Sequence, residues 1–169
     1  MGLGYIGLPT AIIAAKHGVT VTGVDINQEV VDKTNAGHLH IIEPGLEDLL
    51  KEVVAAGQLH ATTQPEKSDA FFIVVPTPFR GGNHEPDISY VEAATRSVIP
   101  FLEPGNLFVI ESTSPVGTTD KMAKIIFEER PELVDKIHVA YCPERVLPGN
   151  VIYELVHNDR VIGGRDEAS

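Results

Sequence analysis

Three glycines and one aspartate carry the strongest chemical signal in the chain. Gly2-Leu3-Gly4-Tyr5-Ile6-Gly7 has the spacing G-x-G-x-x-G. In a strand–turn–helix unit the first glycine makes the tight turn and the second lets backbone approach a pyrophosphate. The third lets the helix pack closely on the strand. The free amides and positive dipole end of that helix then face the phosphates. Asp25 follows Gly7 by 18 residues and closes the strand-like run 19–24. A carboxylate there accepts hydrogen bonds from the adenosine ribose hydroxyls and repels a 2′-phosphate. No arginine follows in Ile26-Asn27-Gln28, so the expected cofactor is NAD rather than NADP. A chance glycine turn beside a helix-capping aspartate is the bland alternative, and the joint spacing disfavours it.

Three further loops hold reactive side chains. Val75-Pro76-Thr77-Pro78-Phe79 fixes a loop with two prolines and leaves Thr77 as a hydroxyl ligand. Residues 111–119 (Glu-Ser-Thr-Ser-Pro-Val-Gly-Thr-Thr) cluster hydroxyls suited to phosphate, ribose or water, and Thr118 or Thr119 can cap a helix there. Cys142-Pro143-Glu144-Arg145-Val146-Leu147-Pro148-Gly149 places an acid and a base where they can position a water and bind a phosphate or sugar. Turn chemistry explains any one of these loops. It explains all three less well, because each follows an apolar strand-like run and ligands in open α/β sheets gather at strand C-termini.

The elements that must position these groups alternate between helix and strand. The apolar spacing predicts a helix after Gly7 ending near Gly18, then a strand over 19–24. Asn27 starts a helix to about Asn35, and Gly37 ends it. A helix over 46–56 and strands over 59–62 and 70–75 follow, the last a continuous apolar run of the kind a strand buried on both faces shows. Residues 76–87 read as a polar loop. Helices over 89–100 and 118–130 alternate with strands over 107–110 and 137–141, and 143–159 is loop-rich with one short ordered piece. A last strand is expected over 160–163. The fold class is α/β, a doubly wound parallel sheet of Rossmann-like type, forming one domain over 1–169. The fingerprint opens at Gly2, so the usual first strand is not in this chain. About five buried apolar residues would contribute on the order of 8–15 kcal/mol, comparable with the roughly 5–15 kcal/mol of a whole domain. Weak cooperativity is therefore expected of the chain alone.

Composition narrows the classes. The chain has 169 residues, 43% hydrophobic and 22% charged, so disorder and fibre are excluded. A net charge of −11 argues against a nucleic-acid partner. No apolar run reaches the roughly 18 residues of a membrane span, so no membrane partner is expected. The one cysteine, Cys142, makes no internal disulfide, which suggests a reducing, cytoplasmic setting. His38, His40 and Glu43, or His84, Glu85 and Asp87, lack ligand spacing on a regular element, so no metal is expected; Asp87 reads better as the cap of the 89–100 helix.

Together these segments resemble the NAD-binding domain of the UDP-glucose/GDP-mannose dehydrogenase family. The resemblance spans essentially the whole chain. It rests on residues 2–10, 23–27, 75–79, Glu85-Pro86-Asp87, 111–117, 141–149 and 158–164. It implies two successive hydride transfers to NAD that oxidise the C6 alcohol of a UDP-sugar to a carboxylate, UDP-N-acetyl-D-mannosamine first and UDP-glucose or another UDP-sugar as the alternative. It also implies that Gly2, Gly4, Tyr5, Ile6, Gly7, Asp25, Thr77 and Thr119 contact NAD. Thr113 would help hold the cofactor and a catalytic water, and Glu144 would act with that water on a thioester intermediate. Arg145 and Val146 would touch the nucleotide sugar. The family's nucleophilic cysteine and its catalytic lysine and asparagine fall beyond this chain, Cys142 does not match that nucleophile, and the chain alone is expected to be inactive. A homodimer is implied for the full enzyme. β-Hydroxyacid dehydrogenases share the glycine-rich opening and a Ser-Thr-x-x-Pro loop, but not Val75-Pro76-Thr77-Pro78 or the 143–149 loop. A non-catalytic NAD-binding module is the remaining rival.

Overall fold

The computed structural model describes residues 1–82, 84–166 and 169. In chain order the elements are α1 (Gly7–Lys16), β1 (Val21–Val24), α2 (Gln28–Asn35), α3 (Leu46–Ala55), β2 (Leu59–Thr62), β3 (Ala70–Ile73), β4 (Phe79–Arg80) and β5 (Glu85–Pro86). They continue with α4 (Ser89–Val98), β6 (Leu107–Ile110), α5 (Thr118–Glu129), β7 (His138–Tyr141), α6 (Val151–His157) and β8 (Gly163–Gly164). The chain forms two compact units, Met1–Pro65 with Arg145–Asp159, and Glu66–Glu144 with Arg160–Ser169.

In the first unit β1 and β2 pair in parallel, Val21 opposite Leu59 and Val24 opposite Thr62. Helix α1 turns Leu8, Ile12 and Ala15 into the core, and α3 adds Leu46, Leu50 and Val53 at helical spacing. Leu3 is buried with them. It packs so closely on β1 that a Cβ at Gly23 would lie 2.8 Å from its Cδ2, which is why that strand position is a glycine. Asn27 caps α2, its side chain accepting from the Glu29 amide at 3.0 Å. At the other end of the helix, the Asn35 amide brackets Ala61, donating to its carbonyl at 2.8 Å and accepting from its N–H at 2.7 Å. A side chain thus satisfies ladder groups on the free edge of β2.

In the second unit β3, β6 and β7 are parallel neighbours and β8 closes the sheet. β8 pairs antiparallel with β7, Tyr141 opposite Gly163. The last strand therefore lies at 163–164 rather than 160–163, and Val161 and Ile162 are exposed. β6 is buried at Phe108, Val109 and Ile110, but β3 buries only Phe71 and Ile73, with Phe72 39% exposed. The continuous apolar run thus corresponds to a shorter strand with one covered face, the face that α4 covers. Beyond Ile73 the hydroxyl of Ser112 replaces a ladder partner, accepting from the Val75 amide at 2.8 Å. Helix α4 stops at Val98 and tightens into a 3₁₀ turn through Pro100, which has no amide to continue it. The expected polar loop 76–87 contains the β4–β5 hairpin, with Phe79 edge-on to His84.

Candidate functional site

In the first unit the glycine-rich turn leads into α1 as the spacing requires. Gly2 has φ +90°, a left-handed backbone that a side chain would strain, and its amide donates to the Val24 carbonyl at 2.7 Å. A Cβ at Gly4 would meet nothing within 4 Å, so the turn presents bare backbone to open space. Helix α1 has no capping side chain and no acid in its first turn, which leaves its positive end available to an anion. Tyr5, Ile6 and Gly7 form that end. Asp25 sits just past β1. Its Oδ2 accepts from the Leu3 amide and its Oδ1 from the Asn27 amide, both at 2.9 Å. A carboxylate has about four lone-pair directions, so two remain for ribose hydroxyls. The bare turn, the uncapped helix and this acid fit a dinucleotide.

The same unit carries an anchor that the spacing did not reveal. Glu43, 6% exposed, accepts from the Gly149 amide at 2.9 Å, the Val151 amide at 2.8 Å and the Tyr5 hydroxyl at 3.0 Å. The Tyr5 phenol lies above its ordinary pKa because of burial and the neighbouring Glu43. His40 binds the Leu3 carbonyl at 2.8 Å, and His38 pairs with Glu47 at 3.3 Å. His38, His40 and Glu43 thus make separate contacts. Arg145 donates to the Asp159 carbonyl at 2.9 Å, and Val146 follows it in the loop that leads to α6.

In the second unit the C-terminal ends of β3, β6 and β7 lie at one edge of the sheet, because all three strands are parallel. Thr77 and Thr113 meet there, the Thr77 hydroxyl donating to the Thr113 carbonyl at 2.7 Å. Ser114 is held by Tyr141, whose hydroxyl accepts from the Ser114 amide at 3.2 Å. Thr119 lines a cleft of about 380 Å³ with Ser114, Asp120, Tyr141 and Arg165. Neither threonine caps α5: Gly117 occupies that position with no side-chain cap, and the Thr118 hydroxyl donates back to Pro115 at 2.8 Å. Asp87 lies one residue before the cap position of α4, which is Ile88 and has no side-chain cap; it accepts from the Ser89 amide at 2.9 Å and pairs with Arg80 at 2.6 Å.

Glu144 lies beside residues that sequence reasoning gave no role. Its side chain is 5% exposed and pairs with Arg160, which also binds the buried Glu111 at 3.2 Å. The same guanidinium approaches the Cys142 sulfur at 3.8 Å. Burial opposes the charge on Arg160, but Cys142, Glu111 and Glu144 outweigh it and hold the guanidinium above its ordinary pKa. One signal for Glu111 was available, an acid directly after a four-residue apolar strand.

A glycine-rich turn into an uncapped helix, with an acid after the next strand, defines a Rossmann-type dinucleotide-binding domain. The chain belongs to the UDP-glucose/GDP-mannose dehydrogenase family, whose NAD binding domain matches residues 1–169. NAD is accordingly its cofactor. It is 57% identical to the UDP-N-acetyl-D-mannosamine dehydrogenase of Campylobacter jejuni, over 97% of this chain and 42% of that protein. It is 53% identical to the NDP-N-acetyl-D-galactosaminuronic acid dehydrogenase of Ralstonia nicotianae, over 97% of this chain and 40% of the relative. Among solved structures, the UDP-N-acetyl-mannosamine dehydrogenase Cap5O of Staphylococcus aureus superposes with TM-score 0.94 at 48% identity, covering 99% of this chain and 41% of that one. The chain thus spans about two-fifths of the proteins it matches. Among the described residues no helix is long and apolar enough to cross a membrane.

Proposed function

We propose that the chain is the NAD-binding part of a nucleotide-sugar 6-dehydrogenase that converts UDP-N-acetyl-D-mannosamine to UDP-N-acetyl-D-mannosaminuronate for surface polysaccharide synthesis. The observation that carries this reading is a likeness above 50% to UDP-N-acetyl-D-mannosamine dehydrogenases over nearly the whole chain. One alcohol, one water and two NAD⁺ give one carboxylate, two NADH and three protons. NAD, when bound, accepts hydride from C6. Gly2, Gly4, Tyr5, Ile6 and Gly7 would hold the dinucleotide through backbone and helix dipole, with Asp25 on the adenosine ribose and Thr77 and Thr119 as further contacts. Thr113 would orient a water, and Glu144 would take its proton as that water attacks the carbon of a thioester carried on the family's cysteine, whose C–S bond breaks to release the carboxylate and the thiolate. Arg145 and Val146 would contact the nucleotide sugar. The working enzyme would be a cytoplasmic homodimer.

The test is NADH formation by the full-length enzyme, followed by absorbance, with UDP-N-acetyl-D-mannosamine as substrate. Turnover of a β-hydroxyacid alone, or NAD binding with no turnover, would overturn the reading. A second nucleotide sugar is favoured by one observation, the 53% identity to the Ralstonia relative, which is named for an N-acetylgalactosaminuronic product. UDP-glucose and UDP-N-acetylgalactosamine therefore belong in the same assay.

A further inference from the structure

We infer that Arg160 is a positioning residue for the water-attack half of the reaction, holding Glu144 ionised and aimed. The inference rests on the reading of Glu144 as the group that acts on the water. Arg160 precedes β8, Glu111 directly follows β6, and Glu144 lies beyond the end of the neighbouring β7. The Glu111 and Glu144 side chains are 1% and 5% exposed. Two desolvated carboxylates that meet at one guanidinium repel each other once that counter-charge is removed. The guanidinium prevents this by reaching both: one terminal nitrogen is 3.2 Å from Glu111 Oε1 and the other sits against Glu144 Oε2. A planar fork does this with two nitrogens held at fixed spacing, whereas an ammonium offers a compact point charge.

The groups facing Arg160 are thus Glu111 just after β6, Cys142 just after β7, and Glu144 from the following loop. One guanidinium thus faces two buried carboxylates and a sulfur. An anionic carboxylate only accepts hydrogen bonds, and that is the form needed to take a proton from water. Without the guanidinium, Glu144 and Glu111 would share a proton, and the base would be present only at higher pH.

The test uses the full-length enzyme turning over UDP-N-acetyl-D-mannosamine, with kcat measured against pH for wild type, Arg160→Gln, Arg160→Lys and Glu144→Gln. Arg160→Gln should move the acid limb of the profile upward by about one pH unit or more. KM for NAD should stay within about twofold, because Arg160 acts through Glu144 and not on the cofactor. Arg160→Lys keeps the charge without the fork and should show a smaller shift in the same direction. A loss of kcat by one factor at every pH, or no change at all, would overturn the inference. Should Arg160→Gln fail to fold, the lysine variant decides: an unmoved acid limb overturns the inference. Glu144→Gln separates the two readings. Wild-type turnover in that variant would remove the role of Glu144 itself, whereas lost turnover with an unmoved Arg160 profile would remove only the role of Arg160.

Discussion

Glu43 and Val151 are 108 positions apart in the chain, yet Glu43 Oε1 accepts the Val151 amide at 2.8 Å. Val151 is the first residue of α6, so a remote carboxylate does the work of a local cap at a helix whose own Asn150 makes no side-chain cap. The other oxygen takes the Gly149 amide and the Tyr5 hydroxyl. One buried acid therefore ties the glycine-rich turn to the loop before α6. Charge-assisted hydrogen bonds of this kind contribute about 1.5–3 kcal/mol each. Glu43→Gln turns one oxygen into a donor facing backbone donors. Amide exchange over 149–157 should accelerate by roughly tenfold to a hundredfold, as read by hydrogen-exchange mass spectrometry. Unchanged exchange would mean that apolar packing alone holds α6.

The Tyr5 phenol is the second consequence of that carboxylate. Burial comes first, and then the hydrogen bond and charge of Glu43, which favour the neutral, donating phenol and raise its pKa above the ordinary 10.0. A raised pKa of this sign contributes stability that is full below the unfolded value and is lost as pH climbs through the folded one. Of the four tyrosines, the phenolate signal removed by Tyr5→Phe should therefore belong to a group ionising above pH 10.0. In Glu43→Gln that same signal should fall back toward the ordinary value.

What could be read without coordinates is what local physics sets. Asn27 caps α2, β2 and β6 take their expected bounds, and Asp25 closes β1, because caps, apolar runs and glycine turns act over a few residues. The half-exposed β3 was not legible, since Ala70-Phe71-Phe72-Ile73 reads the same whether one or both faces are covered. Nor was the placement of β8, because the apolar Val161 and Ile162 point to a strand over 160–163 while the residues that pair antiparallel with β7 are Gly163 and Gly164. Arg160 reaches Glu111 across 49 positions, and no spacing rule connects two charges that distant. The resemblance to a family gave Glu144 a role and included Arg160 in its 158–164 segment without giving it one.

Asp25 holds the turn and is proposed to hold the ribose, and the two tasks can be separated. Its oxygens already hold the Leu3 and Asn27 amides, so Asp25→Ala removes the proposed ribose acceptor and also frees the turn. NAD affinity of the full-length enzyme should fall by roughly 1–3 kcal/mol, about fivefold to more than a hundredfold in Kd by calorimetry. Asp25→Asn keeps one acceptor oxygen and loses the charge that repels a 2′-phosphate. It should bind NAD better than the alanine variant and show a smaller gap between NAD and NADP. Unchanged NAD affinity in Asp25→Ala would rule out the ribose contact.

Asp87 sets an acid limit on the start of α4. The Arg80 guanidinium, then the hydroxyl and amide of Ser89, hold its carboxyl well below the usual carboxylate range. With a depressed folded pKa, the contribution is present above the unfolded value near 4 and is lost as pH falls through the folded one. Asp87→Asn should therefore lower the melting temperature at neutral pH. The difference from wild type should hold down to about pH 5 and shrink as the solution is taken below about pH 4. Arg80 is 62% exposed, so part of the effect is screened, and added salt should reduce the difference at neutral pH. The bond to the Ser89 amide is shorter-ranged and less sensitive to salt, and an asparagine oxygen can still accept it. A melting difference independent of both pH and salt would assign the loss to packing rather than to the Arg80–Asp87 pair.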